Sequence, residues 1–177
     1  MVFTIGHSTR SLEELIDLLR RNRVEELWDV RTAPGSRRMP HFSKASLAAA
    51  LPEAGIAYRH VPELGGLRKP RPGSTNTGWR NQSFRGYADY MQTAEFESAL
   101  GRLIDAQDGR RLAIMCAEAV PWRCHRSLIA DALVARGIEV LEIIGEAAPR
   151  PHTLTPFAVV DAGSACYPAP DTLPLNG

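Results

Sequence analysis

The sequence contains little cysteine, with three residues in a chain of 177. An odd number of unevenly spaced cysteines argues against a disulfide framework and favours a reducing compartment. The N-terminal segment has only a short apolar run before a polar turn, so we expect no secretory signal peptide. No apolar stretch approaches the roughly 20 residues that span a bilayer. These shortages predict a cytoplasmic protein with no membrane partner.

The sequence also lacks an excess of either charge, with 21 Lys and Arg against 20 Asp and Glu. The net charge therefore identifies no partner. Two segments, 30–52 and 64–88, are nonetheless basic and contain no acidic residue. Aromatic residues are interleaved with the second segment, and cations with rings suit a nucleotide or a single strand. The alternative is a solvated loop whose aromatic residues belong to the following helix.

Apolar runs followed by helix signals predict alternating strands and helices. Ser11 and Glu14 have the form of a capping box after the first β-rich run. We predict strands at 2–5, 27–30, 56–61, 112–115 and 138–144, with helical patterns between them. This alternation indicates a single α/β domain over residues 1–145, with a mostly parallel sheet flanked by helices in a Rossmann-like three-layer arrangement. Residues 146–177 are predicted to form a Pro-rich extended tail, which lies on the domain or joins a second copy in a homodimer.

Polar side chains follow four of the predicted strands. The residues concerned are His7 and Ser8, Asp29 and Arg31, Glu63, and Cys116 with Glu118. A long irregular stretch, 62–83, also begins there, and such loops are usually functional or disordered. The carboxyl ends of parallel strands share one edge, which is where open α/β sheets bind ligands. We therefore predict a binding or catalytic site at this edge.

Several short motifs carry a family resemblance. They are Ile5-Gly6-His7-Ser8, Asp29-Val30-Arg31 with Pro34 and Ser36, Tyr58 with Leu64-Gly65-Gly66, and Cys116-x-Glu118 with Cys124-His125-Arg126. Together they resemble the family catalogued as domain of unknown function 488, over residues 2 to about 144. The resemblance implies a prokaryotic-type α/β domain and no particular activity, because the family has none assigned. It gives no role to the tail.

Cys116 is the candidate nucleophile, because a helix N-terminus or a nearby cation can stabilise a thiolate at a strand end. His7, Glu118 and His125 complete the candidate catalytic set as acids, bases or orienting groups. Six residues separate Cys116 from Arg123, whereas a phosphatase loop has five, so the spacing does not fit that class. The competing interpretation is a cysteine that only packs in the core.

The candidate ligand-binding set combines arginines with strand-end polar residues and glycines. Arginines can bind an anion bidentately beside a helix N-terminus, or can form structural salt bridges. The predicted ligand-binding residues are Ser8, Arg10, Asp29, Arg31, Glu63, Gly65, Gly66, Cys124 and Arg126.

Three functions remain open from the sequence. The first is an enzyme that acts on a nucleotide, a nucleic acid or another phosphorylated substrate. The second is a non-catalytic module that binds nucleic acid or nucleotides. The third is a metal protein that uses the cysteines and histidines, although seven residues between Cys116 and Cys124 do not fit a zinc knuckle. The sequence assigns no metal ligand and leaves any cofactor unknown.

Overall fold

Strands and helices alternate along the chain in a computed structural model that describes residues 1–170. The strands of the main sheet are β1 (Val2–Gly6), β2 (Glu26–Asp29), β3 (Ala57–His60), β4 (Leu112–Cys116), β5 (Val140–Ile143) and β6 (Arg150–Pro151). The helices are α1 (Leu12–Arg21), α2 (Lys44–Glu53), α3 (Gln82–Tyr90), α4 (Ala94–Gln107) and α5 (Arg126–Val134). A small hairpin follows, with β7 (Val159–Asp161) and β8 (Ser164–Cys166).

The main sheet has the strand order β3-β2-β4-β1-β5-β6. The first five strands are parallel, and β6 runs antiparallel to β5. In the register, Gly6 lies opposite Cys116 and Asp29 lies opposite Met115. The predicted mostly parallel sheet is confirmed, and the carboxyl ends of β1, β2 and β4 lie side by side.

Two separate apolar cores cover the two faces of this sheet. One core joins α1 and α2 to inward-facing strand residues such as Phe3, Ile5 and Met115. The other joins α3, α4 and α5 to Val2 and Ile114 from the same strands. Successive strand residues point to opposite faces, so each strand serves both cores. The structure is therefore a three-layer α/β domain, as predicted.

Local sequence signals set the helix boundaries. Ser11 and Glu14 form both hydrogen bonds of a capping box at the start of α1. The helical region between β3 and β4 divides into α3 and α4, because Thr93 caps α4 by accepting from the backbone N–H of Phe96. Within residues 1–170, no helix is both long and apolar enough to cross a membrane.

The described part of the tail, residues 146–170, packs on its own domain. Its strand β6 extends the main sheet, and Tyr167 is fully buried. The Tyr167 hydroxyl donates to Oδ2 of Asp131 in α5 at 2.9 Å. Contact with a second copy stays a prediction, and residues 171–177 lie outside the described residues.

A crevice results from the order of the strands. The chain leaves β1 and β2 toward the α1–α2 face, but leaves β4 toward the face that carries α5. In the sheet, β4 lies between β2 and β1. The loop after β4 therefore goes to one face of the sheet, while the loops after its two neighbours go to the other face. Such a divergence opens a binding crevice at the carboxyl ends of the strands.

Candidate functional site

A cavity of about 530 Å³ opens at the carboxyl end of β4. Six of the predicted site residues line it, namely Arg31, Gly66, Cys116, Glu118, Cys124 and His125. Cavities of roughly 300–1,000 Å³ are typical of small-molecule sites. The structure therefore brings the end of β4, the segments that follow β2, β3 and β4, and the residues just before α5 to one pocket.

Three glycines allow the chain segments around this cavity to approach closely. A Cβ atom on Gly6 would lie 1.6 Å from the carbonyl oxygen of Glu118. At Gly66 a Cβ atom would lie 2.9 Å from Nδ1 of His125, and at Gly65 it would lie 2.5 Å from Oγ1 of Thr32. At each of the three positions, a neighbouring segment lies so close to the backbone that glycine fits without a shift of that segment.

Two thiols meet at the floor of the cavity. Cys116 is the last residue of β4, and Cys124 follows the short turn Pro121–Arg123 before α5. Both side chains are buried and both thiols are free. The S–H of Cys124 donates to Sγ of Cys116 across 2.6 Å. The loop between the two cysteines thus makes them a pair, which spacing alone does not reveal.

Arg126 is fully buried beside the thiol pair. Its Nη1 donates to Sγ of Cys116 at 2.8 Å and to the carbonyl oxygen of Glu118 at 2.9 Å. Its Nε has no hydrogen-bond partner, and no carboxylate of residues 1–170 forms an ion pair with it. A buried charge without a counter-charge costs several kcal/mol. The Cys116 sulfur is the group in contact with Arg126 that can ionise to balance it.

The surroundings of the thiols separate their acidities. Burial raises the pKa of Cys116, but the hydrogen bond from Cys124 and the charge of Arg126 outweigh burial and leave this pKa below its ordinary value. The pKa of Cys124 is raised well above its ordinary value, because its proton is held by the Cys116 sulfur and because it is buried. Of the two thiols, Cys116 is therefore the one that ionises more readily.

His125 lies next to the thiol pair at the start of α5. Its Nε2 donates to the carbonyl oxygen of Val30 at 3.1 Å, and its Nδ1 lies 3.5 Å from Sγ of Cys124. Burial lowers the pKa of His125 to about 4, so the imidazole is neutral near pH 7. With Nε2 as the donor, Nδ1 is an acceptor that faces Cys124.

A second polar cluster lies at the ends of β1 and β2. Arg31 pairs bidentately with the fully buried Asp29, with Nε–Oδ1 and Nη2–Oδ2 distances of 2.8 and 2.6 Å. The hydroxyl of Tyr58 also donates to Asp29, and Nη1 of Arg31 donates to Nε2 of His7 at 3.2 Å. Burial lowers the pKa of His7, which keeps Nε2 free to accept. The charge of Arg31 is thus already balanced within the protein.

Seven of the predicted ligand-binding or catalytic residues do not line the cavity. They are His7, Ser8, Arg10, Asp29, Glu63, Gly65 and Arg126. The Arg10 guanidinium donates to the carbonyl oxygens of Gly6 and Ile144, which joins the ends of β1 and β5. The Glu63 carboxylate instead pairs with Arg102 at 3.2 Å.

Several cavity residues were not among the predicted site residues. They are Thr32, Ala33, Leu67, Asn81, Ser83, Phe84, Ala117 and Arg123. The stretch 62–83 after β3 supplies Leu67, Asn81 and Ser83, so its unusual length was the available signal. Phe84 lies in α3 and also lines the cavity, and its ring stacks on that of Trp79 with centroids 4.7 Å apart.

The aromatic residues of the basic segment 64–88 contribute mostly to packing. Tyr87 is buried in the core, and its hydroxyl donates to the carbonyl oxygen of Leu64. Tyr90, just beyond the segment, is also buried, and the guanidinium of Arg68 lies 3.6 Å from its ring centre. These rings are therefore not free to stack on successive bases of a nucleic acid strand. Among residues 1–170, no group of three or more His, Cys, Asp or Glu is arranged to hold a metal ion.

The fold and the site together define a class, which is a three-layer α/β domain with a buried cysteine–arginine contact at the carboxyl edge of its sheet. The family model described as Domain of unknown function DUF488 matches residues 11–133. The protein belongs to this family, since the match covers more than half of the chain. The matched range begins after Gly6–Ser8 and ends before β5. No curated protein and no solved structure matches the chain.

Proposed function

We propose that this protein is a thiol-dependent enzyme that acts on a phosphate-bearing substrate of nucleotide size, with Cys116 as its nucleophile. The observation that carries the proposal is the buried guanidinium of Arg126, 2.8 Å from the Cys116 sulfur and without a carboxylate among residues 1–170. A thiolate is the reactive form of cysteine, and a neighbouring cation is one of the arrangements that activates it.

The lining of the cavity supports the substrate class. Arg123 is exposed at the cavity and forms no ion pair with residues 1–170, so its charge is available for a phosphate. Phe84 offers an aromatic surface in the same cavity, and Asn81 and Ser83 offer polar groups. A compact anion with a ring system would use all of these groups. This favours a nucleotide or a related phosphate ester over a long nucleic acid strand.

The proposed reaction is a transfer through a covalent intermediate on Cys116. A bond forms between the Cys116 sulfur and the electrophilic atom of the substrate, while the bond to the leaving group breaks. Glu118 is an exposed carboxylate on the cavity wall and is the proposed general base for the water that releases the product. Release restores the thiolate beside Arg126.

The test is a turnover screen of nucleotides and phosphate esters with wild-type protein and the Cys116→Ser variant. We expect turnover of at least one phosphate-bearing compound, reduced by several orders of magnitude in Cys116→Ser. Cys166→Ser is the matched control, because this cysteine lies in β8 and does not line the cavity. Equal turnover by wild type and Cys116→Ser would overturn the proposal. Binding of nucleotides without turnover by either protein would favour the non-catalytic module.

A further inference from the structure

Cys124, the second thiol of the pair, has no role in the proposed reaction, which needs only the Cys116 nucleophile. The sulfur atoms of Cys116 and Cys124 are 2.6 Å apart, and a disulfide bond measures about 2.05 Å. Only a small approach therefore separates the free dithiol from a covalent bond. Cys166 lies elsewhere, with its thiol directed at the carbonyl oxygen of Val159 at 3.6 Å.

We propose that Cys116 and Cys124 form a peroxide-reducing dithiol, in which a hydroperoxide oxidises the pair to a reversible intramolecular disulfide. This activity uses the same sulfur as the proposed transferase or hydrolase chemistry but does not depend on any phosphate-bearing substrate. Peroxide reduction is thus a second reaction in the cavity. While the disulfide is present, Cys116 cannot act as the nucleophile of the first reaction.

The first step is attack of the Cys116 thiolate on one oxygen of the hydroperoxide. A sulfur–oxygen bond forms and the oxygen–oxygen bond breaks. The leaving oxygen takes up, through solvent, the proton that the Cys116 thiol released on ionising, and departs as alcohol or water. The product at the protein is a sulfenic acid on Cys116. The Nη1 group of Arg126, which donates to this sulfur, is near enough to stabilise the oxygen anion as it leaves.

The second step is attack of the Cys124 sulfur on the sulfenic sulfur of Cys116. The disulfide bond forms, and the hydroxyl group leaves as water with the proton of Cys124. Nδ1 of His125, 3.5 Å from the Cys124 sulfur, is the acceptor through which this proton passes. Two electrons move from the two thiols to the peroxide, so the step balances without another reactant.

The burial of the pair selects the oxidant. Cys116 is 2% exposed and Cys124 is 6% exposed, although both line the cavity. A small hydroperoxide such as hydrogen peroxide can reach these sulfurs through the cavity. A bulky disulfide such as oxidised glutathione would have to present its own sulfur atoms at the cavity floor. We therefore expect peroxide to oxidise the pair faster than oxidised glutathione does.

The experiment exposes reduced, full-length protein to stoichiometric hydrogen peroxide and follows its intact mass and free thiols. The wild-type mass should fall by two hydrogen atoms, and the free thiols should fall from three to one. Peptide mapping should join Cys116 to Cys124, and dithiothreitol should restore all three thiols. The Cys166→Ser control should lose the same two hydrogen atoms.

The Cys124→Ser variant separates the two steps. Without the second thiol, the mass should instead rise by one oxygen atom, and a sulfenic acid reagent should label Cys116. If this variant does not fold, the wild-type mapping still decides the question. Stable oxygen adducts on wild-type Cys116 without a disulfide, or a disulfide that involves Cys166, would overturn the proposal. These readouts use no phosphate ester, so they succeed or fail independently of the turnover screen.

Discussion

Arg126 is the residue on which the site depends most directly. A guanidinium that is fully buried without a carboxylate would be costly if every neighbour were neutral. Its contact with the Cys116 sulfur at 2.8 Å provides a negative partner once the thiol ionises. Under the proposed function, the same contact balances the buried charge and activates the cysteine before any ligand binds.

Gly6 fixes the position of the loop that Arg126 holds. In Gly6→Ala the new Cβ atom would lie 1.6 Å from the carbonyl oxygen of Glu118 and 2.9 Å from Nη1 of Arg126. The loop must shift, and overpacking of this kind costs about 1–3 kcal/mol. We expect a lower free energy of unfolding in denaturant titration, together with slower alkylation of Cys116.

A matched control for this substitution lies in α4. Nothing lies within 4 Å of a Cβ atom built on Gly101, and alanine favours a helix by up to about 1 kcal/mol over glycine. Gly101→Ala should therefore leave stability unchanged or raise it. Equal stability of Gly6→Ala and wild type would contradict the close contact between β1 and the loop after β4.

At the scale of elements, a buried polar cluster fastens the tail to α5 and β5. Nε2 of His152 bonds to Asp131 at 2.8 Å, and its Nδ1 bonds to Glu142 at 2.7 Å. Asp131 also accepts from Thr155 and Tyr167, so one carboxylate holds three tail residues. The described part of the tail therefore packs on the domain through residue 170. It is held there by these polar interactions as well as by apolar packing.

This cluster predicts a pH dependence of stability. Burial lowers the pKa of His152, but its hydrogen bonds to Asp131 and Glu142 outweigh this effect and raise it to about 9. The folded-state pKa exceeds the unfolded value of 6.5, so the stabilisation is complete below pH 6.5 and is lost as the pH rises through about 9. A shift of this size corresponds to about 3 kcal/mol.

The measurement is the free energy of unfolding of wild type and His152→Asn from pH 6 to 10. The difference between the two proteins should shrink as the pH rises, because wild type loses the charge that the variant never had. Hydrogen exchange should show faster opening of residues 150–167 in the variant. A difference that does not change with pH would contradict a protonated His152.

At the scale of the whole molecule, binding in the cavity should stabilise the fold. A ligand that binds only the folded state contributes about 2.7 kcal/mol at a concentration of one hundred times its Kd. A nucleotide should therefore raise the Tm of the protein, and Arg123→Gln should reduce that rise. Arg37→Gln is the control, since Arg37 is exposed and does not line the cavity. Equal loss of the rise in both variants would indicate nonspecific charge binding.

Sequence patterns were sufficient for the architecture and for the polar residues that meet at one edge of the sheet, where the candidate site lies. Periodicity and capping are local, so α1, its capping box and the polar residues after β1, β2 and β4 could be predicted. The contact between Cys116 and Cys124 could not, because it depends on the path of the intervening loop. Anion binding by Arg126 stays a prediction, and the contact of its guanidinium with the Cys116 sulfur depends on tertiary packing.

The most direct test of the account is the pH dependence of Cys116 alkylation in the Cys166→Ser protein, followed at the Cys116 peptide by mass spectrometry. Burial slows alkylation at every pH, but the midpoint of the profile reports the thiol pKa. We predict a midpoint below the ordinary thiol value of about 8.5, and a higher midpoint in Arg126→Met, which removes the neighbouring charge. A midpoint at or above the ordinary value, unchanged in Arg126→Met, would contradict a thiolate stabilised by Arg126.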